Sequence, residues 1–254
     1  MGARVVDPLF EEALRLGDSC LVLAQRLSAW CGKAPILEED IAVANVALDL
    51  IGQAQMWLGL AGEIEGRGRT PDDLAYKRDA GDFRNVLLVE RPNGDFGQTL
   101  MRQYLFDAWH LPMLQALQRS SDARVAAIAE KAGKEVAYHL HRSRDLVIRL
   151  GDGSQESHRR MQAALDDLWP YTGELTHADA IEEELAASGV GADLAAIAAA
   201  YEAETASTLA QATLVLPKSG FMHKGGKTGV HTEHLGYLLA EMQFLQRAYP
   251  GATW

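Results

Sequence analysis

The sequence of 254 residues contains little cysteine, with Cys20 and Cys31 as its two thiols. They are 11 residues apart in what looks like one helix, predicted to end near Trp30. A rise of about 1.5 Å per residue places them roughly 16 Å apart. A disulfide bond cannot span that distance. A disulfide framework is therefore excluded, and both cysteines are expected to be reduced residues of the core.

Positive charge is also scarce. Lysine and arginine total 24 residues against 35 aspartates and glutamates, which gives a net charge of −11. A surface of this sign repels phosphate backbones and anionic lipid. Nucleic acid is therefore excluded as a main partner.

Long apolar runs are missing as well. Residues 1–18 contain no signal-peptide core, and the longest apolar run, Leu194 to Tyr201, is too short to cross a bilayer. Hydrophobic residues nevertheless make up 48% of the chain and charged residues 23%, as in soluble globular proteins. We expect a cytoplasmic protein with a substantial core and no membrane partner.

Helical patterns are abundant. Ala, Leu, Gln, Glu and Arg fill long segments, while prolines and glycine clusters fall mostly between them. A short strand is considered only for Val86 to Glu90. Four long helices are predicted at Pro8 to Trp30, Leu37 to Glu65, Asp95 to Arg119 and Asp122 to Leu150, followed by shorter ones at Glu156 to Trp169, His177 to Ser188, Asp193 to Thr213 and Glu233 to Ala248.

The order of the four long helices predicts the fold. They form two hairpins joined by a long connection, Gly66 to Gly94, which is typical of a crossover bundle. The second helix is apolar almost all round, as expected for a helix buried at the bundle centre. The prediction is an all-α, ferritin-like four-helix bundle core with additional C-terminal helices, in a single domain over residues 1–254.

Carboxylates and imidazoles recur at similar depths along these helices. A bundle that holds two irons uses a Glu-x-x-His pair from each of two helices and a glutamate from each of the other two. This sequence departs from that pattern, because Val136 stands three residues before His139 and Gly52 three residues after Asp49. The first helix is read as offering no interior glutamate. The positions that correspond to a di-iron site are Asp49, Gly52, Asp107, His110, Glu135, Val136 and His139.

Three interpretations of these residues stay open. They can form a working metal site, a polar cluster that has lost its metal, or unrelated charges, since isolated helical His and Asp residues are mostly structural. The missing ligands favour the polar cluster. If it is buried without metal, its charges need partners. We therefore expect Lys131, Lys134 or a nearby arginine to form salt bridges with the region around Asp107, Glu135 and His139.

A second constellation lies near the C-terminus. His231 and His234 have the spacing of a zinc-binding pair but lack a third ligand, so capping or interface roles are favoured. Lys218, Lys224 and Lys227 lie in a glycine-rich loop whose spacing does not match a phosphate loop. This loop is either a solvated segment or a contact for an anionic partner or ligand phosphate.

Several segments, taken together, resemble one known family, the C subunits of bacterial ring-1,2-phenylacetyl-CoA epoxidases. The resemblance spans nearly the whole chain, and Pro92 to Phe96 is a specific part of it. The matching segments are Arg15 to Leu21, Leu48 to Ala54, Asp73 to Asp79, Phe83 to Asn85, Leu87 to Phe96, His231 to Gly236 and Leu239 to Arg247.

The resemblance implies a ferritin-like, structural, non-catalytic subunit of a multicomponent monooxygenase. In this family the A subunit holds the di-iron centre that epoxidises the ring of phenylacetyl-CoA, and a reductase subunit passes electrons from NADPH. The C subunit pairs with the A subunit and holds no cofactor of its own. The expected partners are therefore the A subunit and the other subunits, including the reductase.

Two alternatives of a different class remain. One is an independent ferritin-like di-iron oxidase or oxygenase that uses Asp49, Asp107, His110, Glu135 and His139. The other is a helical module that binds a CoA ester through the loop from Lys218 to Lys227. The iron content of the chain distinguishes the first alternative from a non-catalytic subunit. Binding of a CoA ester by the isolated chain would distinguish the second.

Overall fold

A computed structural model describes residues 7–218 and 220–252 of the chain. Over these residues the secondary structure consists of α-helices and short 3₁₀ turns, with no strand. The all-α fold is confirmed. Val86 to Glu90, considered as a strand, contains the 3₁₀ turn Leu87–Glu90 instead, so that expectation is wrong.

Four long helices form the bundle. Their bounds are α1 Pro8–Ser28, α2 Leu37–Glu65, α4 Phe96–Leu117 and α5 Ala123–Gly151. Asp7, Asp95 and Asp122 accept hydrogen bonds from the first backbone N–H groups of α1, α4 and α5, which lack partners within the helix. In α2, three acidic residues in the first turn favour the positive end of the helix dipole. Each long helix thus begins where its local sequence stabilises a helix start.

The shorter helices flank this bundle. The predicted C-terminal helix is divided at Gln243 into two helices, and the connection between α2 and α4 contains a short helix that was not predicted. The bounds are α3 Pro71–Tyr76, α6 Gln155–Leu168, α7 Gly173–Thr176, α8 Ala180–Ala187, α9 Leu194–Gln211, α10 Glu233–Met242 and α11 Phe244–Ala248.

The bundle consists of two helix pairs that share one core. α1 packs along α2 and α4 packs along α5, while contacts between α2 and α5 join the pairs. Gly17 allows the first pair to approach closely, because a Cβ atom there would lie 2.9 Å from the side chain of Leu58. α6 and α9 cover the second pair. This is the ferritin-like arrangement expected from the helix order.

Two sequence-based expectations about the core need correction. Cys20 is buried, but α1 ends at Ser28 and Cys31 lies exposed beyond it, so Cys31 is not a core residue. α2 is not buried all round either. By length and composition it could cross a membrane, yet only 44% of its most apolar stretch is buried, and that part packs in the bundle core. No described part of the chain covers its opposite face.

Candidate functional site

Two hydrogen bonds join the facing sides of α2 and α5. His139 Nε2 donates to Asp49 Oδ2 over 2.9 Å, and one turn away Gln53 Nε2 donates to Glu135 Oε2 over the same distance. Asp49 and Gln53 are four residues apart on α2, and Glu135 and His139 are four apart on α5. Each helix therefore presents two polar groups on one face. Cys20 Sγ, from α1, lies 3.7 Å from Gln53 Oε1 and extends the chain of contacts to a third helix.

The imidazole of His139 is buried. Burial lowers its pKa below the ordinary value, and the hydrogen bond to Asp49 only partly opposes this effect. Its Nδ1 atom has no hydrogen-bond partner among the described residues. The Asp49 carboxylate keeps 38% of its side chain exposed, so this pair lies at the edge of the core beside solvent.

Asp107 of α4 is the most deeply enclosed carboxyl group of the set. Gln103 Nε2 donates to Asp107 Oδ1 over 2.6 Å, and Ser143 Oγ lies 2.9 Å from Oδ2. Burial raises the pKa of Asp107 to about 8, although both hydrogen bonds act in the opposite direction. The group is therefore mainly protonated at pH 7, and it needs no cation to balance a charge.

His110 lies one turn after Asp107 and is fully buried. Neither ring nitrogen has a hydrogen-bond partner in the described part of the chain. The ring contacts Phe106, with centroids 5.0 Å apart, and is stacked on Trp109 at 5.7 Å. Burial first, and then the nearby His139, lowers the pKa of His110 to about 3. The imidazole therefore behaves as an uncharged aromatic group of the core.

The expected salt bridges to this region do not form. Within residues 7–218 and 220–252, Lys134 pairs with Glu130 at 3.2 Å, and Lys131 is exposed on α5. The nearest arginine, Arg142, forms its salt bridge with Glu39 near the start of α2. The expectation is wrong because the carboxyl groups have uncharged partners instead. The amide of Gln53 bonds to Glu135, the imidazole of His139 bonds to Asp49, and an amide and a hydroxyl group enclose Asp107, which is mainly protonated.

These donors do not fit a pair of irons. A carboxylate-bridged di-iron centre takes about four carboxylates and two histidines. The facing sides of α2, α4 and α5 offer three carboxyl groups, those of Asp49, Asp107 and Glu135. Val136, which is fully buried, supplies no ligand atom in the turn before His139. Gly52 supplies none in the turn after Asp49. Among the described residues no three His, Cys, Asp or Glu side chains converge in a way that could hold a metal ion.

The lysines and histidines of the second constellation are separated by the fold. Lys227 is buried, and its Nζ lies 2.5 Å from Glu182 Oε1. Lys218 and Lys224 are exposed, whereas the carbonyl group of His234 accepts a hydrogen bond from Arg26. The position of Lys227 differs from the expectation of a contact with an outside anion, because its charge is used within the chain.

His231 is likewise engaged within the chain. Its Nδ1 atom lies 2.5 Å from Glu90 Oε1, and Nε2 lies 2.9 Å from the carbonyl oxygen of Phe83. Burial opposes the charged imidazole, but the hydrogen bond to Glu90 and the charge of that carboxylate outweigh it and raise the pKa of His231. With both nitrogens occupied, His231 is not arranged to form a zinc pair with His234.

Two buried glutamates anchor the segment that precedes α10. Glu90 accepts hydrogen bonds from the backbone N–H and the hydroxyl group of Thr232, at 2.9 and 2.6 Å. Glu174 accepts from the backbone N–H groups of Gly225, Lys227 and Leu87. The sequence motifs around Glu90 and His231 therefore meet in space, and their polar residues hold the C-terminal segment on the bundle.

Sequence reasoning missed one interior glutamate on α1. Glu12 is buried near Glu182 and Lys227, and burial first, then the charge of Glu182, raises its pKa to about 7. Arg15 closes the cluster with a 2.6 Å ion pair to Asp179. The spacing of Glu12 and Arg15 on one helix face could have indicated a buried cluster, but their partners are more than 160 residues away.

Four long helices in two pairs, with carboxyl and imidazole groups on their facing sides, define a ferritin-like bundle protein. The chain belongs to the phenylacetic acid catabolic protein family, whose model matches residues 1–254. It is 50% identical over 249 residues to the protein of Escherichia coli strain K12 that is named as the C subunit of 1,2-phenylacetyl-CoA epoxidase. That alignment covers 98% of this chain and the whole of the relative.

Proposed function

We propose that this chain is a non-catalytic subunit of a cytoplasmic monooxygenase that epoxidises the aromatic ring of phenylacetyl-CoA. In this proposal it pairs with a di-iron ferritin-like subunit and supports it, and a reductase subunit delivers electrons from NADPH. The name of the E. coli relative, at 50% identity over the full length, supports the reaction and the membership in a complex.

One observation carries the non-catalytic role. Where a di-iron bundle directs its ligands at two metal ions, Asp49 and His139 bond to each other, and so do Gln53 and Glu135. The remaining carboxyl group, Asp107, is enclosed by an amide and a hydroxyl group. These polar groups thus link the helices to one another, and too few ligands remain among the described residues for an oxygen-activating metal pair.

The first test is the iron content of the purified chain. The isolated chain and the catalytic subunit of the same organism are loaded with ferrous iron side by side, desalted and analysed. We expect well under one iron per molecule of this chain and about two per catalytic subunit. Two irons in this chain, together with substrate-dependent oxygen consumption, would establish the alternative of an independent oxidase.

The second test is reconstitution of the complex. Epoxidation of phenylacetyl-CoA is measured with the catalytic subunit, the reductase and the remaining subunits, in the presence and absence of this chain. We expect this chain to co-purify with the catalytic subunit and to be required for full activity. A catalytic subunit that is soluble and fully active without it would contradict the supporting role.

A further inference from the structure

α2 carries an apolar face that no described part of the chain covers. Leu37 is 70% exposed, Ile41 53%, Leu48 65% and Ile51 38%, although all four lie in one of the bundle helices. Single exposed apolar residues are common, but a continuous row of large ones marks an interaction surface. The row, here called the α2 stripe, consists of these four large residues, with the half-buried Ala44 between Ile41 and Leu48 and the polar Gln55 at its end.

The spacing of the α2 stripe specifies the shape of what covers it. Its residues follow one another at alternating intervals of four and three, which is the repeat of a coiled-coil seam. This 3.5-residue period keeps a row of side chains facing a second helix along its whole length. At about 1.5 Å per residue the α2 stripe is roughly 27 Å long. A long helix with an apolar face of its own fits a row of this length and spacing.

Gly52 is an independent indication that a partner approaches α2 here. It lies in the helix interior next to Ile51, and a Cβ atom at this position would have no atom of the described residues within 4 Å. A glycine inside a helix destabilises it relative to alanine, so it needs a reason. Gly17 has its reason within the chain, in the contact with Leu58. At Gly52 no described residue supplies such a reason, and a glycine at this position leaves room for the backbone of another molecule.

Charge favours a different protein over a second copy of this chain. Two copies, each with a net charge of −11, repel each other as they approach.

The inner face of α2 is already occupied by α1 and α5. The bonds of Asp49 to His139 and of Gln53 to Glu135 fix the rotation of α2 and direct the α2 stripe outward.

We infer that the α2 stripe is the surface on which the catalytic subunit of the proposed complex docks, through a helix with the same apolar repeat. This inference rests on the proposed function and adds the face that carries out the pairing. Leu48, at the middle of the α2 stripe, inserts between side chains of the partner helix, and Gly52 admits its backbone.

The test compares three variants for binding to the catalytic subunit of the same organism, by calorimetry with purified proteins. Leu48→Asp is expected to weaken binding at least about 30-fold, since it places a charge in an apolar seam. Gly52→Ala is expected to weaken binding about 10-fold, and yet to raise the Tm of the isolated chain by about 2–4 °C. Val215→Asp is the matched control, because Val215 is 70% exposed outside the α2 stripe.

The opposite signs for Gly52→Ala separate docking from folding, because a variant that merely misfolds cannot gain stability. If the wild-type chain binds the catalytic subunit and Leu48→Asp binds equally well, the face is wrong while the proposed function stands. If the wild-type chain does not bind, the proposed pairing itself fails. A wild-type chain that sediments as a dimer, and becomes monomeric with Leu48→Asp, would assign the α2 stripe to self-association and overturn the inference.

Discussion

His139 of α5 donates a hydrogen bond to Asp49 of α2 over 2.9 Å, on the facing sides of two bundle helices, and di-iron bundles draw their ligands from such facing sides. The pair joins the two halves of the bundle, and the bond from Gln53 to Glu135 repeats the arrangement one turn away. Groups that could ligate a metal thus serve as links between helices.

Restoring one missing ligand should damage the fold. Val136 is fully buried, so Val136→Glu places a carboxyl group in the apolar core, with an expected loss of about 3 kcal/mol in the free energy of unfolding. Urea denaturation measures the loss, and iron analysis should show no gain of metal. Ala137→Glu, at the adjacent exposed position, should change stability by less than about 0.5 kcal/mol. A stable Val136→Glu variant that binds iron would contradict the prediction.

Asp107 should make the protein less stable as the pH rises. The pKa of this group is about 8 in the folded chain, against 3.8 as its ordinary value. The unfolded chain therefore releases this proton first, and the stabilising contribution, complete below pH 4, is lost as the pH rises toward 8. Asp107→Asn removes the effect, so its advantage over wild type should grow between pH 5 and pH 8 in urea titrations. Parallel stability curves for the two proteins would contradict this assignment.

The buried charge of Lys227 should matter for stability, whereas that of Lys224 should not. Lys227→Met leaves Glu182 without its closest cation near Glu12, so a loss of about 3 kcal/mol is expected. Lys224 is exposed in the same loop, and Lys224→Met should be nearly neutral. Thermal unfolding of both variants provides the comparison. Equal effects would show that the 2.5 Å pair between Lys227 and Glu182 contributes little.

Glu90 should control the attachment of the C-terminal segment. It accepts hydrogen bonds from Thr232 and interacts with His231, so Glu90→Gln should cost about 2 kcal/mol and expose the loop before α10 to limited proteolysis. Because the pKa of His231 is raised, the contribution of the ion pair is complete below pH 6.5 and is lost as the pH rises through that raised pKa. Protease resistance equal to that of Glu233→Gln, an exposed control, would argue against this role.

The helices could be predicted closely because their signals are local. The predicted starts of α1 at Pro8 and α2 at Leu37 agree with the structure, since caps and first-turn charges lie next to the residues that they affect. The structure of Val86 to Glu90 was harder to predict, because its run of four apolar residues is too short to distinguish a strand from a 3₁₀ turn. Cys31 was wrongly predicted to be a core residue of the first helix, because the sequence has no strong helix-stop signal between Ser28, where α1 ends, and Gly32.

The partners of the candidate site residues could not be predicted. Asp49, Asp107, Glu135 and His139 were identified from spacing, but the expected lysine partners were wrong because a lysine near in sequence can point away from the core. Lys134 belongs to the outer face of α5 and meets Glu130 there. The amide of Gln53 lies 82 positions away from Glu135 in the chain, yet it is the group that donates a hydrogen bond to the Glu135 carboxylate.

The sequence by itself determined the helical fold, the order of the helices, the altered ligand set and the family motifs, because periodicity, capping and residue identity are properties of neighbouring residues. Only the tertiary structure decided that His139 bonds to Asp49, that His231 bonds to Glu90, and that α2 leaves Leu48 and Ile51 exposed. These outcomes depend on how each helix is rotated about its axis and on which helix lies beside it. A helix that is apolar all round contains no local signal of which face its neighbours will cover.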